Sequence, residues 1–258
     1  MNKGFLLMFS ILSSLSLFSC KPKGEVNFTI VETTDIHGMI FPYNFITDKE
    51  ENTSMANICS YIKKLKSEGK TVLLLDNGDT LQGQPTVYYY NFIATNEKHI
   101  WTEVLNYMNY DVVTMGNHDI ETGHNVYDRI VKDIKAKVVV ANLINEKTKE
   151  PYFKPYAIIK KNGIKIAILG MIEPAIERQL PKILYEGIIA EDMVECAKKW
   201  IEIIKEKEKP DMIVGLFHSG ANYTEDKEKY KNENASQLVA EEVEGFDIIF
   251  VGHDHQGW

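Results

Sequence analysis

Five short polar clusters carry most of the residues able to do chemistry. They are Asp35-Ile36-His37-Gly38, Asp76-Asn77-Gly78-Asp79, Gly116-Asn117-His118-Asp119, His218-Ser219-Gly220 and Gly252-His253-Asp254-His255. The chain has 7 histidines, and these clusters hold His37, His118, His218, His253 and His255. Imidazole, carboxylate and the Asn carbonyl are the ligands of a borderline divalent cation such as zinc, manganese, iron or cobalt, and thiolates are missing from the clusters. Asp35, His37, Asp79, Asn117, His218, His253 and His255 are too many for one tetrahedral ion, but they suit two ions that share a carboxylate. Two ions about 3.5–4 Å apart can clamp the attacking and leaving oxygens of an in-line displacement at phosphorus.

Each cluster follows a stretch that reads as a strand. Val26–Thr34 is rich in β-formers, Thr71–Leu75 is continuously apolar, and Asp111–Thr114, Asp211–Phe217 and Asp247–Val251 complete the set. Helical spacing runs through Met55, Ile58, Ile62 and Leu65, and again through Met193, Ala197, Trp200 and Ile204. Further helices are expected over residues 86–94, 99–109, 122–135 and 234–243, and a strand over Lys137–Ala141. Asn162-Gly163, between Tyr156–Lys160 and Ile164–Leu169, signals a hairpin. Continuous apolar strands alternating with helices imply an α/β architecture whose sheet is buried on both faces, with one hairpin pointing to mixed strand directions. Ligands in open α/β sheets bind outside the carboxyl ends of the strands, so five clusters at such ends converge on one place.

In this order, DxH, GD, GNHD, HSG and GHxH resemble the calcineurin-like metallophosphoesterases. With GDTLQGQP after the second strand, they look most like the secreted branch of 5′-nucleotidases and 2′,3′-cyclic-nucleotide phosphodiesterases. The resemblance spans nearly all of residues 26–258. It implies a four-layer sandwich of two mixed β-sheets flanked by helices, incomplete at the C-terminus, where relatives continue into more of the sandwich and a nucleotide-binding second domain. It implies two divalent metal ions. Asp35, His37 and His255 would hold the first, Asp79 would bridge, and Asn117, His218 and His253 would complete the second. Asn117 and His118 would contact the phosphate, and His118 would protonate the leaving oxygen. Relatives with GNHEFD orient this His with an Asp; here Glu121 stands at that place, one methylene longer. The implied activity is a dinuclear-metal phosphoester hydrolase that removes phosphate from nucleotides or opens 2′,3′-cyclic nucleotides through a metal-activated hydroxide. That activity serves nucleotide catabolism outside the cytoplasm. The alternatives are an inactive metal-binding fragment and a phosphatase for sugar nucleotides or another non-nucleotide ester.

The remainder of the sequence sets the context. A chain of 258 residues with 44% hydrophobic residues has enough apolar material for a full core. Lys+Arg 29 against Asp+Glu 37 leaves a formal charge of −8, which argues against a duplex nucleic-acid partner and leaves a small phosphoester as the expected one. Residues 1–19 have a Lys near the start and an apolar run too short to span a bilayer, ending in Leu-Phe-Ser before Cys20. This looks like a lipoprotein signal peptide with Cys20 as the acylated residue and residues 20–25 as a tether. It places the protein in a bacterial cell envelope, membrane-anchored and facing the periplasm or exterior; the alternative is an ordinary signal peptide with an incidental Cys. Cys59 and Cys196 read as buried free thiols. Tyr88-Tyr89-Tyr90 reads as core packing, with base stacking as the alternative. Arg178 reads as solvated, His99 as a helix start, and His124 as a surface residue or a support behind the ligands.

Overall fold

In the strand Val72–Asp76 (β4), side chains alternate between two hydrophobic layers. Leu73 and Leu75 enter a cluster with Ile166, Ile168, Val214 and Leu216, while Val72 and Leu74 pack with Met55, Ile62, Trp101 and Leu105. The same period of two operates in the second half of the chain. In Ile164–Ile172 (β9), Ile166 and Ile168 face the first cluster, and Ala167, Leu169 and Met171 pack with Met193, Ala197 and Ile201. A strand with both faces apolar must be covered on both sides, and this alternation produces helices, sheet, sheet and helices in four layers.

The computed structural model describes residues 25–221 and 233–256. One sheet has the order β1-β4-β5-β6, from Thr29–Thr33 (β1), β4, Val112–Val113 (β5) and Lys137–Val138 (β6), and all its pairings are parallel. The other has the order β12-β11-β9-β8, from Ile248–Val251 (β12), Met212–His218 (β11), β9 and Tyr156–Lys161 (β8). Here β8 pairs antiparallel with β9 and the rest are parallel, so the mixed character lies in the second sheet. The β8–β9 turn has Asn162 at φ 49° and Gly163 at φ 83°, the two positive values that this two-residue hairpin requires. Helices Met55–Ser67 (α1) and Ile100–Met108 (α3) cover the first sheet, and Met193–Glu208 (α7) covers the second. Ser54 caps α1 and Asp192 caps α7, each accepting backbone N–H bonds. His99 does start α3, but with a buried ring whose Nδ1 accepts the N–H of Trp101. Two small ladders lie outside the sequence expectation: Tyr43–Asn44 with Lys49–Glu50, and Leu143–Asn145 with Ile188–Ala190. Among the described residues no helix is long and apolar enough to cross a membrane.

Because β1, β4 and β5 are parallel, their carboxyl ends share one rim; β11 and β12 place theirs at the rim of the second sheet. Asn77 stitches the two rims together. Its Nδ2 donates to the Phe217 carbonyl at 3.0 Å, and its own carbonyl accepts from His218 Nδ1 at 2.7 Å. The loops inside the rim hang on Asp119, in the short helix Asn117–Ile120 (α4). Its carboxylate is 1% exposed and accepts the N–H groups of Asp79, Thr80, Leu81 and Gly116 at 2.8–2.9 Å, plus the Thr80 hydroxyl at 3.2 Å. Gly116 is required where the loops meet, because a Cβ there would lie 2.0 Å from Asp79 Oδ1.

Removing the Asp119 carboxylate strands four buried N–H donors, each costing about 1–3 kcal/mol. Asp119→Ala is therefore expected to lose at least about 3 kcal/mol in urea unfolding; a loss under about 0.5 kcal/mol, the size of an ordinary surface change, would show that the clasp carries no load.

Candidate metal centre

Every one of the seven expected ligands reaches the rim. Asp35, His37 and His255 form one group, and Asp79, His218 and His253 another; within each, one ligand atom per residue lies within 4.8 Å of the others. Asn117 joins the second group, its Oδ1 3.2 Å from His218 Nε2 and 3.0 Å from His253 Nδ1. In the first group the His37 and His255 Nε2 atoms are 3.2 Å apart, and Asp35 Oδ1 is 3.4 Å from the latter. The backbone is forced to present them. Among the described residues ten non-glycine positions have positive φ, and five of these are Asp35, His37, Asp79, His253 and His255. That conformation costs about 1–2 kcal/mol per residue, and such strain gathers where a site needs side chains aimed from tight turns.

The outer partners of the imidazoles decide which ring nitrogen carries the proton. A carbonyl can only accept, so His218 Nδ1 donates to Asn77 and His37 Nδ1 donates to the Gln82 carbonyl at 3.1 Å. A carboxylate imposes the same on His253, whose Nε2 meets Glu233 Oε1 at 2.9 Å. The inner nitrogens, His218 Nε2, His37 Nε2 and His253 Nδ1, are left as lone pairs. They face one another together with the oxygens of Asp35, Asp79 and Asn117. His218 is 0% exposed and Asp79 1%, so the second group is shielded from water, whereas the His255 side chain of the first group is 58% exposed.

Without a cation, protons must fill that role. Burial alone would lower the His218 pKa, but Asp79, 3.1 Å away, and Asp35 outweigh it and raise the pKa to about 9. Burial alone would raise Asp79; the His218 charge outweighs it and holds the carboxyl well below the usual range. Behind the ligands, burial pushes Glu173 up to about 7 against the pull of His253, and pushes Glu32 up to about 7 as well.

His118 sits beside both groups. Its ring centroid is 5.5 Å from that of His37, and its backbone N–H donates to Asp79 Oδ1 at 2.9 Å. Glu121 Oε2 lies 2.5 Å from His118 Nδ1, so the longer side chain does reach the ring. Asp76 is fully buried and bonds Thr33 Oγ1 at 2.7 Å; it supports the β4 end and lies outside both ligand groups. His124 bonds Asp128 and the Glu186 carbonyl, and Asn142 clamps the Ile172 backbone. Arg178 is not merely solvated: it pairs with Glu233, the carboxylate behind His253. Tyr88 and Tyr89 are 58% and 49% exposed, which corrects the core-packing reading. Cys59 and Cys196 are free thiols, the first half-buried. Cys20 and the signal segment lie outside the described residues.

Comparison with known proteins gives the family. A family model described as calcineurin-like phosphoesterase matches residues 28–257. The chain is 30% identical to a 2′,3′-cyclic-nucleotide 2′-phosphodiesterase/3′-nucleotidase of Haemophilus influenzae, over 99% of this chain and 41% of that protein. It is 30% identical to the trifunctional nucleotide phosphoesterase protein YfkN of Bacillus subtilis, over 90% of this chain and 17% of that one. It thus spans about two fifths of the length of the first of these curated relatives and about a sixth of the second. The solved structure of calcineurin-like phosphoesterase YfkN from Bacillus subtilis matches with a TM-score of 0.79 at 30% identity, covering 88% of this chain and 72% of that chain. The fold is also shared with a putative 5′-nucleotidase from Staphylococcus aureus, at a TM-score of 0.78 and 20% identity, over 89% of this chain and 45% of that one. A family model that covers most of the chain and a solved structure of the same fold at 30% identity agree, and this chain belongs to the calcineurin-like phosphoesterases.

Proposed function

We propose that the protein hydrolyses nucleotide phosphoesters, removing phosphate from nucleotides or opening 2′,3′-cyclic nucleotides, with a pair of divalent cations. The observation that carries this reading is the convergence of proton-free imidazole nitrogens on carboxylate and amide oxygens at one rim, around a buried His218 and Asp79. Such a donor set fits a cation pair and fits little else. Asp35, His37 and His255 hold one ion; Asp79, Asn117, His218 and His253 hold the other, with Asp79 as the shared carboxylate. When bound, the pair supplies positive charge against the phosphoryl oxygens and lowers the pKa of an attacking water. The N/O ligands and the absence of thiolate favour zinc, manganese, iron or cobalt.

The chain's own groups divide the remaining work. Glu121 fixes the proton on His118 Nδ1, which leaves Nε2 to exchange a proton with the leaving oxygen. The Asn117 amide and the His118 ring contact the phosphate and stabilise charge as the bond breaks. Gln82, Asn77 and Glu233 hold the ligand rings in one tautomer and orientation. The names of the relatives support a nucleotide as substrate. We read residues 26–258 as the metallophosphoesterase catalytic domain. The pattern of residues 1–25 supports export to the cell envelope with a lipid on Cys20.

Three outcomes are expected. Asp79→Ala loses hydrolysis of AMP and 2′,3′-cyclic AMP, with manganese or zinc supplied, by about 10³-fold or more in kcat; full activity would defeat the mechanism. Glu121→Gln lowers kcat by about 10²-fold with little change in KM, whereas an unchanged kcat would remove Glu121 from the reaction. The third outcome is a pH dependence of the metal-stripped chain. Its His218 pKa is raised from 6.5 to about 9, so the stabilisation is complete below pH 6.5 and lost as pH rises through 9. Asp79 is lowered, so its contribution is present above its ordinary 3.8 and lost as pH falls further. Thermal melting should therefore fall between pH 6.5 and 9.5, less steeply in His218→Asn and less steeply with manganese bound; equal slopes in all three would contradict the lone-pair account.

A further inference from the structure

The segment that follows β9 touches the supports of both histidines in the second ligand group. The Glu173 N–H donates to the His218 carbonyl at 2.8 Å, so the segment starts on a residue that carries one ligand ring. The Glu173 side chain is 0% exposed and turns the chain: its Oε2 accepts the Ala175 N–H at 2.5 Å, just before the short helix Ile176–Gln179. That helix ends in two adjacent donors aimed at one carboxylate. Gln179 Nε2 donates to Glu233 Oε1 at 3.0 Å, and the Arg178 guanidinium donates to Glu233 Oε2. Glu233 Oε1 also accepts from His253 Nε2 at 2.9 Å, and the far side of that ring presents Nδ1 to Asn117 Oδ1 at 3.0 Å. Both oxygens of Glu233 are therefore engaged, one by the ligand ring and Gln179, the other by Arg178.

We propose that Arg178 and Gln179 are positioning residues for the second cation: acting through Glu233, they fix His253 and set the affinity of that site. This rests on the cation-pair reading above. A carboxylate behind a ligand imidazole orients the ring and raises the basicity of its inner nitrogen, but only while the carboxylate itself stays in place. Glu233 is not placed by burial. Its side chain is 29% exposed, has several rotatable bonds, and meets water that competes for its oxygens. Two donors from a helix anchored by Glu173 to the end of β9 remove that freedom. Stability does not explain the arrangement. The Arg178 and Glu233 side chains are 41% and 29% exposed, and an ion pair so open to solvent adds little to folding. Its use lies in where it holds the carboxylate. The first group hangs on other supports: His37 donates to the Gln82 carbonyl, and His255 is largely exposed. A change at Arg178 and Gln179 therefore acts on one cation and spares the other.

The test is manganese binding to the full chain without substrate, followed by the EPR signal of the free ion, with anomalous diffraction to assign each site. In Arg178→Met/Gln179→Met the dissociation constant at the second group should rise about tenfold, as for loss of an outer partner of a ligand histidine. The constant at the first group and the melting temperature of the metal-free chain should stay near their wild-type values. Glu233→Ala should weaken the second site at least as much, and all three changes together should weaken it no further than Glu233→Ala alone, because the pair acts through that carboxylate. Lys198→Met, which breaks an exposed ion pair with Glu242 on the flank of α7, should leave both constants unchanged. An unaffected second site in the double variant, an equal loss at both sites, or full additivity in the triple variant overturns the proposal. If the wild-type chain takes up no manganese, the cation-pair reading fails and this proposal falls with it. Wild-type binding beside an unaffected double variant ends this proposal alone.

Discussion

Lone pairs of imidazole nitrogens and carboxylate and amide oxygens are pressed together at one rim, with His218 and Asp79 fully buried, and everything else at this rim answers to that fact. Such atoms repel unless positive charge lies between them, and their desolvation makes the repulsion costly. The fold nevertheless holds them in place from outside. Carbonyls of Asn77 and Gln82 and the carboxylate of Glu233 fix the outer protons of His218, His37 and His253. The positive φ values at five of the seven candidate ligands belong to the same arrangement, since relaxed turns would point these side chains elsewhere.

The two sheets explain how so distant a set of residues meets. Each half of the chain builds one sheet in simple order, and the parallel strands deliver successive loops to the same edge. Apolar side chains between the sheets lock one rim to the other, so Asp79 on the first sheet and His218 on the second face each other at 3.1 Å. Asp119 then turns the loop after β4 and the loop after β5 into one unit, because a single carboxylate answers N–H groups from both. Stability and chemistry are carried by neighbouring residues here: Asn117 and His118 serve the site, and the next side chain in sequence serves the fold.

Much of this was legible in the sequence, for physical reasons. Continuous apolar runs followed by small polar clusters mark buried strands with polar ends, and that pattern located the residues that gather at the rim. Helical spacing through Met193, Ala197 and Ile204 placed α7 because that face packs on the second sheet. The β5 strand proved shorter than Asp111–Thr114, since the chain leaves the ladder to bring Asn117 to the rim. Other features lacked a local signal. Glu233, Glu173 and Glu32 support or surround the ligands, but an isolated Glu looks the same whether it is solvated or held behind a histidine. The ladder of Leu143–Asn145 with Ile188–Ala190 joins two three-residue segments far apart in sequence, too short for alternation to show. Tyr88 and Tyr89 read as core because aromatics usually are; only the placement of the helix Pro85–Phe92 beside His118 shows otherwise.

The family relationship and the geometry meet in one claim: two cations occupy two neighbouring ligand groups built from both halves of the chain. The most direct measurement is diffraction from crystals grown with manganese, with anomalous data collected on the metal. The account predicts two separate peaks, one among Asp35, His37 and His255 and one among Asp79, Asn117, His218 and His253. A map with no peak in either group, or with manganese only at other positions on the protein, would contradict it.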